Sequence, residues 1–289
     1  MQRIIDTHIH IWDFSRADYP WLKGDTSILN RTYSISEIEE ERKIAGVTDG
    51  VMVQASCNLD DTRMMLEVAS QNEWLHGVVC WLPLMDTKET ERLLEEEFLL
   101  NPYFVGMRHL IHDEPDTKWL LQPAVIESLK LLAKHNKPYD VVGVKPEHIE
   151  TVLNVAELVP DLRMVFDHLN APPIPAKERF GKWGELMKVA AQNKNFYAKL
   201  SGLGTASGNF EGRTAEDIKP YVAYTLEHFG VGRCFCGGDW PVSALANSYS
   251  RIWQMTKEII DELVHKDIRH KVYFNNANTF YNLNLGNLN

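Results

Sequence analysis

Two histidines and an aspartate lie at alternate positions near the start of the chain, in the stretch IIDTHIHIW (residues 4–12). Side chains of an extended segment alternate between two faces, so every second residue of this stretch is predicted to share one face. Two imidazoles one pleat apart can bind a metal ion or a substrate oxygen, or they can bond backbone carbonyls in an ordinary strand. The motif alone leaves both interpretations open. The residues predicted to share that face are Asp6, His8, His10 and Trp12.

Polar residues end or follow several other short apolar runs. Taken singly, each is compatible with an ion pair as well as with catalysis. Ionisable groups in a protein interior are costly unless they are paired or functional. A set of such groups at the ends of neighbouring strands therefore indicates a functional site. For Lys199, we expect a structural pairing with Asp140 or Asp167. The set comprises Arg108, His109, His112, Tyr139, Asp140, Asp167, His168, Lys199, Ser201 and Asp239.

Eight short apolar or β-branched runs alternate with longer segments of helical periodicity. This alternation predicts βαβ units with parallel strands, and eight units predict a closed (β/α)8 barrel in one domain spanning residues 1–289. The first run lacks the Gly-x-Gly-x-x-Gly motif of a dinucleotide-binding fold. Loops 12–34 and 170–183 follow strands and are therefore predicted on the catalytic face. The predicted strands are 3–12, 49–56, 75–83, 104–111, 137–143, 163–170, 195–203 and 233–242.

Composition narrows the class of partner. The net charge of −10 and the lack of a basic run argue against nucleic acid and favour a small-molecule partner. No apolar stretch approaches the ~20 residues needed to cross a bilayer, and no secretory signal is visible, so a cytoplasmic location is predicted. Four cysteines in 289 residues do not form a disulfide framework, and Cys234 and Cys236 are predicted to be buried. The sequence leaves open whether the protein forms a homo-oligomer.

The ordered set of motifs resembles the amidohydrolase superfamily, and more closely its amidohydrolase 2 branch, which includes lactonases for sugar-acid and dicarboxylate lactones. The resemblance implies a distorted TIM barrel that performs hydrolysis. It spans nearly the whole chain, from Asp6 to the terminal NNANTFYNL. The motifs are DTHIHIWD, GMRHLIH, VFDHLNAP, KLSGL and GGDWPV, at predicted strands one, four, six, seven and eight.

The resemblance also implies roles for individual residues. Asp239 and His168 would be catalytic, with Asp239 taking a proton from the attacking water. His8 and His10, together with Asp239, would bind a metal ion. The fifth strand lacks the histidine found in many members, and the fourth offers Arg108, so a two-metal centre is not expected. One divalent ion, such as zinc, and no metal at all are both compatible with this branch.

The expected substrate is a sugar-acid lactone such as an L-fucono-, L-rhamnono- or L-galactono-lactone. A dicarboxylate would call for several basic residues at the rim, where only Arg108 and Lys199 stand out, although loop arginines and lysines (Arg16, Lys23, Arg31 and Arg179) could contribute. A metal-dependent decarboxylase and a non-catalytic sugar-binding barrel are the alternatives. An aromatic wall could include Trp12, Trp21, Trp81 and Trp240. The predicted substrate contacts are Arg108, His112, Tyr139 and Trp12.

Overall fold

Eight parallel strands form a barrel in chain order, from β1 to β8, in the computed structural model, which describes residues 2–208 and 212–288. Each strand pairs with the next through parallel hydrogen bonding, as βαβ connections require. The predicted (β/α)8 barrel is therefore confirmed. The strands are β1 (Ile5–Ile9), β2 (Asp49–Val53), β3 (Leu75–Cys80), β4 (Phe104–His109), β5 (Tyr139–Val141), β6 (Met164–Phe166), β7 (Phe196–Leu200) and β8 (Cys234–Cys236).

Helices between the strands cover the outside of the barrel. Local signals fix their ends: the Asn58 side chain accepts from the Asp61 amide at the start of α2, Pro123 is the first residue of α4, and Gly46 ends α1 in a left-handed conformation. None of the helices described is long and apolar enough to span a membrane. The helices are α1 (Glu39–Ala45), α2 (Leu59–Ser70), α3 (Thr87–Leu93, continued by a π-helical turn), α4 (Pro123–Lys134), α5 (Pro146–Leu158), α6 (Gly181–Ala190), α7 (Ala215–Phe229), α8 (Tyr249–Leu263) and α9 (Asn276–Phe280).

The barrel closes between β1 and the segment that follows β8. The amide of His10 donates to the carbonyl of Trp240 at 2.7 Å, and the amide of Asp239 donates to the carbonyl of His8 at 2.7 Å. Closure therefore takes place at the carboxyl ends of the strands. The same hydrogen bonds bring the two segments with the strongest chemical motifs side by side.

The opposite end of the barrel is filled by the C-terminal segment. Phe280 and Tyr281 pack with buried apolar side chains such as Val53 and Val165, which project from the strands into the interior. The apolar packing leaves the polar interior residues near the carboxyl ends, where barrel enzymes carry their sites. Cys234 and Cys236 are buried and unpaired, as predicted.

One prediction for β1 is wrong, because its residues do not alternate regularly. The register with β2 shifts between Asp6 and Ile9, and the Asp6 carboxylate accepts the amide of His8 at 2.9 Å. Asp6 instead bonds Tyr249 and Trp253 of the outer helix α8, at 2.6 and 3.3 Å. This bulge separates Asp6 from the interior face on which His8 lies.

Candidate active site

Asp239 faces three imidazoles at the carboxyl end of the barrel. Its Oδ1 atom lies 3.5 Å from Nε2 of His10 and 3.8 Å from Nε2 of both His8 and His168. His8 is fully buried, and Asp239 is 4% exposed. Segments from β1, β6 and β8 thus bring a carboxylate and three imidazoles to one point.

The backbone around Asp239 is shaped to aim its carboxylate at this point. Asp239 has a φ of 58°, in the left-handed region, and follows two glycines. Gly202, after β7, approaches the site so closely that a Cβ there would lie 2.4 Å from Nδ1 of His168 and 2.7 Å from Oδ2 of Asp239. Only glycine fits that position without displacing both side chains.

His168 is presented by an unusual turn after β6. Four consecutive residues without a glycine, 168–171, have φ values between 51° and 54°. Such conformations are costly and cluster at functional sites. Nδ1 of His168 lies 2.9 Å from the hydroxyl of Ser201, which fixes the ring orientation.

Burial favours the neutral form of His8, in β1, and of His10, just after it. It lowers the pKa of His8 well below its usual value, although the nearby Asp167 carboxylate acts in the opposite direction. It also lowers the pKa of His10. Nδ1 of His10 lies 2.7 Å from the carbonyl of Val53, so this nitrogen carries the proton and Nε2 presents its lone pair towards Asp239.

A network of buried charges lies beneath the imidazoles. Lys199 of β7 contacts Asp140 of β5 at 2.6 Å and Asp167 at 2.8 Å, and Asp167 also contacts Arg108 of β4 at 3.2 Å. Burial alone would raise the pKa of Asp167, but Lys199, His8 and Arg108 hold it well below its usual value. The two carboxylates and two cations balance, and the predicted pairing of Lys199 is confirmed.

A cavity of about 420 Å³ opens above these residues. Its volume lies within the usual range for small-molecule sites. Its lining contains both polar and apolar side chains. The polar side chains are His10, Arg108, His112, Asp113, His168, Thr205, Ser207 and Asp239, and the apolar ones include Trp21, Leu110, Val142, Val144, Val242 and Leu245. Both loops predicted on the catalytic face contribute, through Trp21 and Ala171.

Two of the predicted substrate contacts do not reach this cavity. Trp12 is fully buried and donates its indole N–H to the carbonyl of Arg31, and Tyr139 is fully buried as well. Neither lines the cavity, whereas Arg108 and His112 do. Of the four tryptophans considered for an aromatic wall, Trp21 is the one in the cavity lining.

Several polar residues near the site were not predicted, among them Asp113 and Ser207 of the cavity lining. Thr205 contacts Oδ2 of Asp239 at 3.4 Å, and the backbone carbonyl of Gln54 accepts a hydrogen bond from Arg108. Gln54 is the first polar residue after the apolar run of β2, which is a usable signal. Thr205 lies in a loop after β7, where the sequence carries no periodicity to place it.

The donor set fits a single divalent ion. Ligand atoms of His8, His10 and Asp239 all lie within 4.8 Å of one another. The proton on Nδ1 of His10 is held by a backbone carbonyl, which is the usual arrangement for a histidine that binds metal through Nε2. These three residues could therefore hold zinc or a similar ion.

The fold and this arrangement define a barrel enzyme with its site at the carboxyl ends of the strands. The family model described as amidohydrolase matches residues 5–283. The chain belongs to the amidohydrolase family, which confirms the resemblance found in its motifs and the prediction of a hydrolase.

Relatives within the family include two proteins named L-fucono-1,5-lactonase. The one from Burkholderia ambifaria is 30% identical over 96% of this chain and 95% of its own length. The one from Burkholderia multivorans is 28% identical over 86% of this chain and 85% of its own length.

A crystal structure of an amidohydrolase from Burkholderia multivorans superimposes with a TM-score of 0.87 at 25% identity, covering 96% of this chain and 99% of that one. That crystal structure contains bound zinc. A 2,6-dihydroxybenzoate decarboxylase shares the fold at 13% identity, with a TM-score of 0.68 over 98% of this chain and all of that one.

Proposed function

We propose that this protein hydrolyses the ring ester of a neutral sugar-acid lactone, with Asp239 as the base that activates water. The observation that carries the proposal is the position of Asp239, which lines the cavity and whose Oδ1 lies within 3.8 Å of three imidazole nitrogens. A carboxylate in hydrogen-bonding reach of a bound water is the geometry that general-base catalysis requires. The two relatives named L-fucono-1,5-lactonase support the same reaction.

In the proposed reaction, Asp239 takes a proton from water as the water oxygen attacks the lactone carbonyl. His168 and the Arg108 guanidinium line the cavity, where their N–H groups can orient and polarise the carbonyl oxygen. A divalent ion held by His8, His10 and Asp239 would supply Lewis-acid polarisation when bound. Asp239 then returns its proton to the ring oxygen as the carbon–oxygen bond breaks, which yields the open-chain hydroxy acid.

The charge of the cavity favours a neutral substrate over a dicarboxylate. Arg108 is the one cationic side chain among the described residues of the lining, and Asp167 already neutralises it. The basic loop residues considered above do not line the cavity. They have other partners: Arg16 pairs with Glu67, Lys23 with Asp18 and Arg31 with Glu37, and Arg179 lies over the ring of Tyr221. A sugar-acid lactone such as L-fucono-, L-rhamnono- or L-galactono-lactone needs no counter-charge.

A panel of L- and D-aldonolactones, followed by acid release in weak buffer, tests the proposal. We expect at least one neutral lactone to be opened rapidly and 2-pyrone-4,6-dicarboxylate to be opened poorly. Parallel assays with and without a chelator report whether metal is needed. Unchanged lactones together with carbon dioxide release from a hydroxybenzoate would overturn the proposal in favour of a decarboxylase, and binding without turnover would favour a sugar-binding barrel.

A further inference from the structure

The contact between Arg108 and His8 has no part in the proposed reaction. An Nη1 atom of Arg108 lies 3.2 Å from Nε2 of His8, and both side chains are buried. Arg108 is held in this position by Oδ2 of Asp167 at 3.2 Å and by the carbonyl of Gln54. The guanidinium therefore cannot turn away without losing two other hydrogen bonds.

This contact determines where His8 carries its proton. A guanidinium has no acceptor, so Nε2 of His8 must accept from Arg108, and the ring proton must be on Nδ1. Nδ1 lies 3.5 Å from Oδ1 of Asp167, which can receive that proton in a hydrogen bond.

Lys199 is also close to Nδ1, at 3.3 Å, but a neutral imidazole has one acceptor nitrogen, so Nδ1 cannot accept from Lys199 while Nε2 accepts from Arg108. Its ammonium group has three N–H groups and three oxygen atoms nearby, two of them hydrogen-bonded and the third, Oδ1 of Asp167, in an ion pair. These oxygen atoms are Oδ2 of Asp140 at 2.6 Å, Oδ1 of Asp167 at 2.8 Å and the carbonyl of Thr7 at 3.3 Å.

A metal ion bound by His8 would use the same Nε2 lone pair that Arg108 uses. His10 differs, because its Nε2 lone pair faces Asp239 and its proton is held by a backbone carbonyl. We propose that Arg108 competes with a divalent ion for Nε2 of His8 and thereby weakens metal binding at this site. The inference rests on the proposed metal ligands and is independent of which lactone is hydrolysed.

Metal titration of the purified, chelator-treated full-length protein tests this competition. We expect Arg108→Met to bind Zn²⁺ at least about tenfold more tightly than the wild type in isothermal titration calorimetry, since a charge-assisted hydrogen bond no longer opposes the ion. Unchanged or weaker binding by a variant with a native circular dichroism spectrum would overturn the proposal.

A double-mutant cycle separates this competition from a general effect of removing a positive charge. In a His8→Gln background, Arg108→Met should give no comparable gain in Zn²⁺ affinity. A gain of the same size in that background would show that the charge of Arg108 acts without His8, and would contradict the proposal. Because binding is measured directly, loss of lactone hydrolysis does not affect the result.

A measurement on the metal-free wild type needs no variant of Arg108 to fold. Long-range ¹H–¹⁵N spectra distinguish the two neutral imidazole tautomers, and His8→Gln identifies the His8 signals among the 11 histidines. We expect the proton on Nδ1 and an Nε2 that accepts a hydrogen bond. A proton on Nε2 would overturn the proposal.

Discussion

At the scale of single residues, the carboxylate of Asp239 is the group on which the proposed chemistry depends. Asp239→Asn keeps the size of the side chain and removes the base, so we expect kcat for a neutral lactone to fall by roughly 10²- to 10⁴-fold. Steady-state kinetics with the best lactone of the panel measures this. The melting temperature should change little, because the amide can still accept the contact from Thr205.

Asp113→Asn is the matched control for Asp239→Asn. Asp113 also lines the cavity, but its carboxylate is 54% exposed and its nearest ionic partner is His112, at 3.6 Å. We expect its kcat to remain within a few-fold of the wild type. Equal losses in the two variants would mean that charge in the cavity, and not a base at position 239, supports turnover.

Gly202 supplies a second prediction at this scale. Alanine at this position would clash with His168 and Asp239, and its φ of 58° adds backbone strain. We expect Gly202→Ala to lower both kcat and the melting temperature. Gly24→Ala isolates the strain, because Gly24 has a φ of 82° and no atom near its missing Cβ, so only stability should fall, by about 1 kcal/mol. Full activity in Gly202→Ala would show that the site tolerates displacement of both side chains.

At the scale of elements, the strands and the residues that end them could be predicted because apolar runs alternate with helical segments. Three structural details could not be predicted from the sequence. The bulge in β1 depends on Asp6 being held by Tyr249 and Trp253, more than 200 positions later in the chain. The left-handed turn that presents His168 contains no glycine to signal it. Trp12 and Trp21 are both candidates for the aromatic wall, and only packing decides which of them reaches the cavity.

The loop after β1 carries Trp21 over the cavity, and side-chain contacts hold it there. The indole N–H of Trp21 donates to the carbonyl of Ala55 at 2.8 Å, and the Tyr19 hydroxyl donates to Asp61 at 2.9 Å. We expect Trp21→Ala to raise KM for a sugar lactone by roughly three- to tenfold with a smaller change in kcat, because an aromatic face contributes to binding.

Phe14→Ala is the control for Trp21→Ala within the same loop. Phe14 is 45% exposed and does not line the cavity, so its KM should match that of the wild type. Saturation curves for the two variants provide the comparison. An unchanged KM in Trp21→Ala would mean that the substrate does not use this wall.

At the scale of the whole molecule, the active site is joined through the barrel interior to the C-terminal segment around Phe280 and Tyr281, which fills the opposite end of the barrel as a C-terminal plug. The hydroxyl of Tyr281, in the plug, donates to Oδ2 of Asp140 at 2.7 Å, and Lys199 bridges that carboxylate to Asp167 beneath His8. Each of these charges has an opposite partner, which offsets the cost of burying it. The segment that closes one end of the barrel therefore also helps to position the catalytic end.

Asp49 provides a pH-dependent contribution to the stability of the plugged end. Burial would raise its pKa, but hydrogen bonds from His76, Arg3 and Thr48 lower it to about 2. A lowered folded-state pKa stabilises the protein above the unfolded value of 3.8, and this contribution disappears as the pH falls towards 2. We expect Asp49→Asn to lower the free energy of unfolding by about 2 kcal/mol at pH 7.

The difference between wild type and Asp49→Asn should stay constant from pH 7 to pH 5 and shrink between pH 4 and pH 2, because below pH 3.8 the unfolded state binds a proton at Asp49 while the folded state keeps the carboxylate ionised down to about pH 2. Urea unfolding at each pH measures it, with Asp18→Asn as the control. Asp18 pairs with Lys23 at the surface, where both side chains are more than half exposed, so its loss should cost less than about 1 kcal/mol at every pH. A difference for Asp49→Asn that grows as the pH falls would contradict the assignment of Asp49 as an ionised partner of Arg3 and His76.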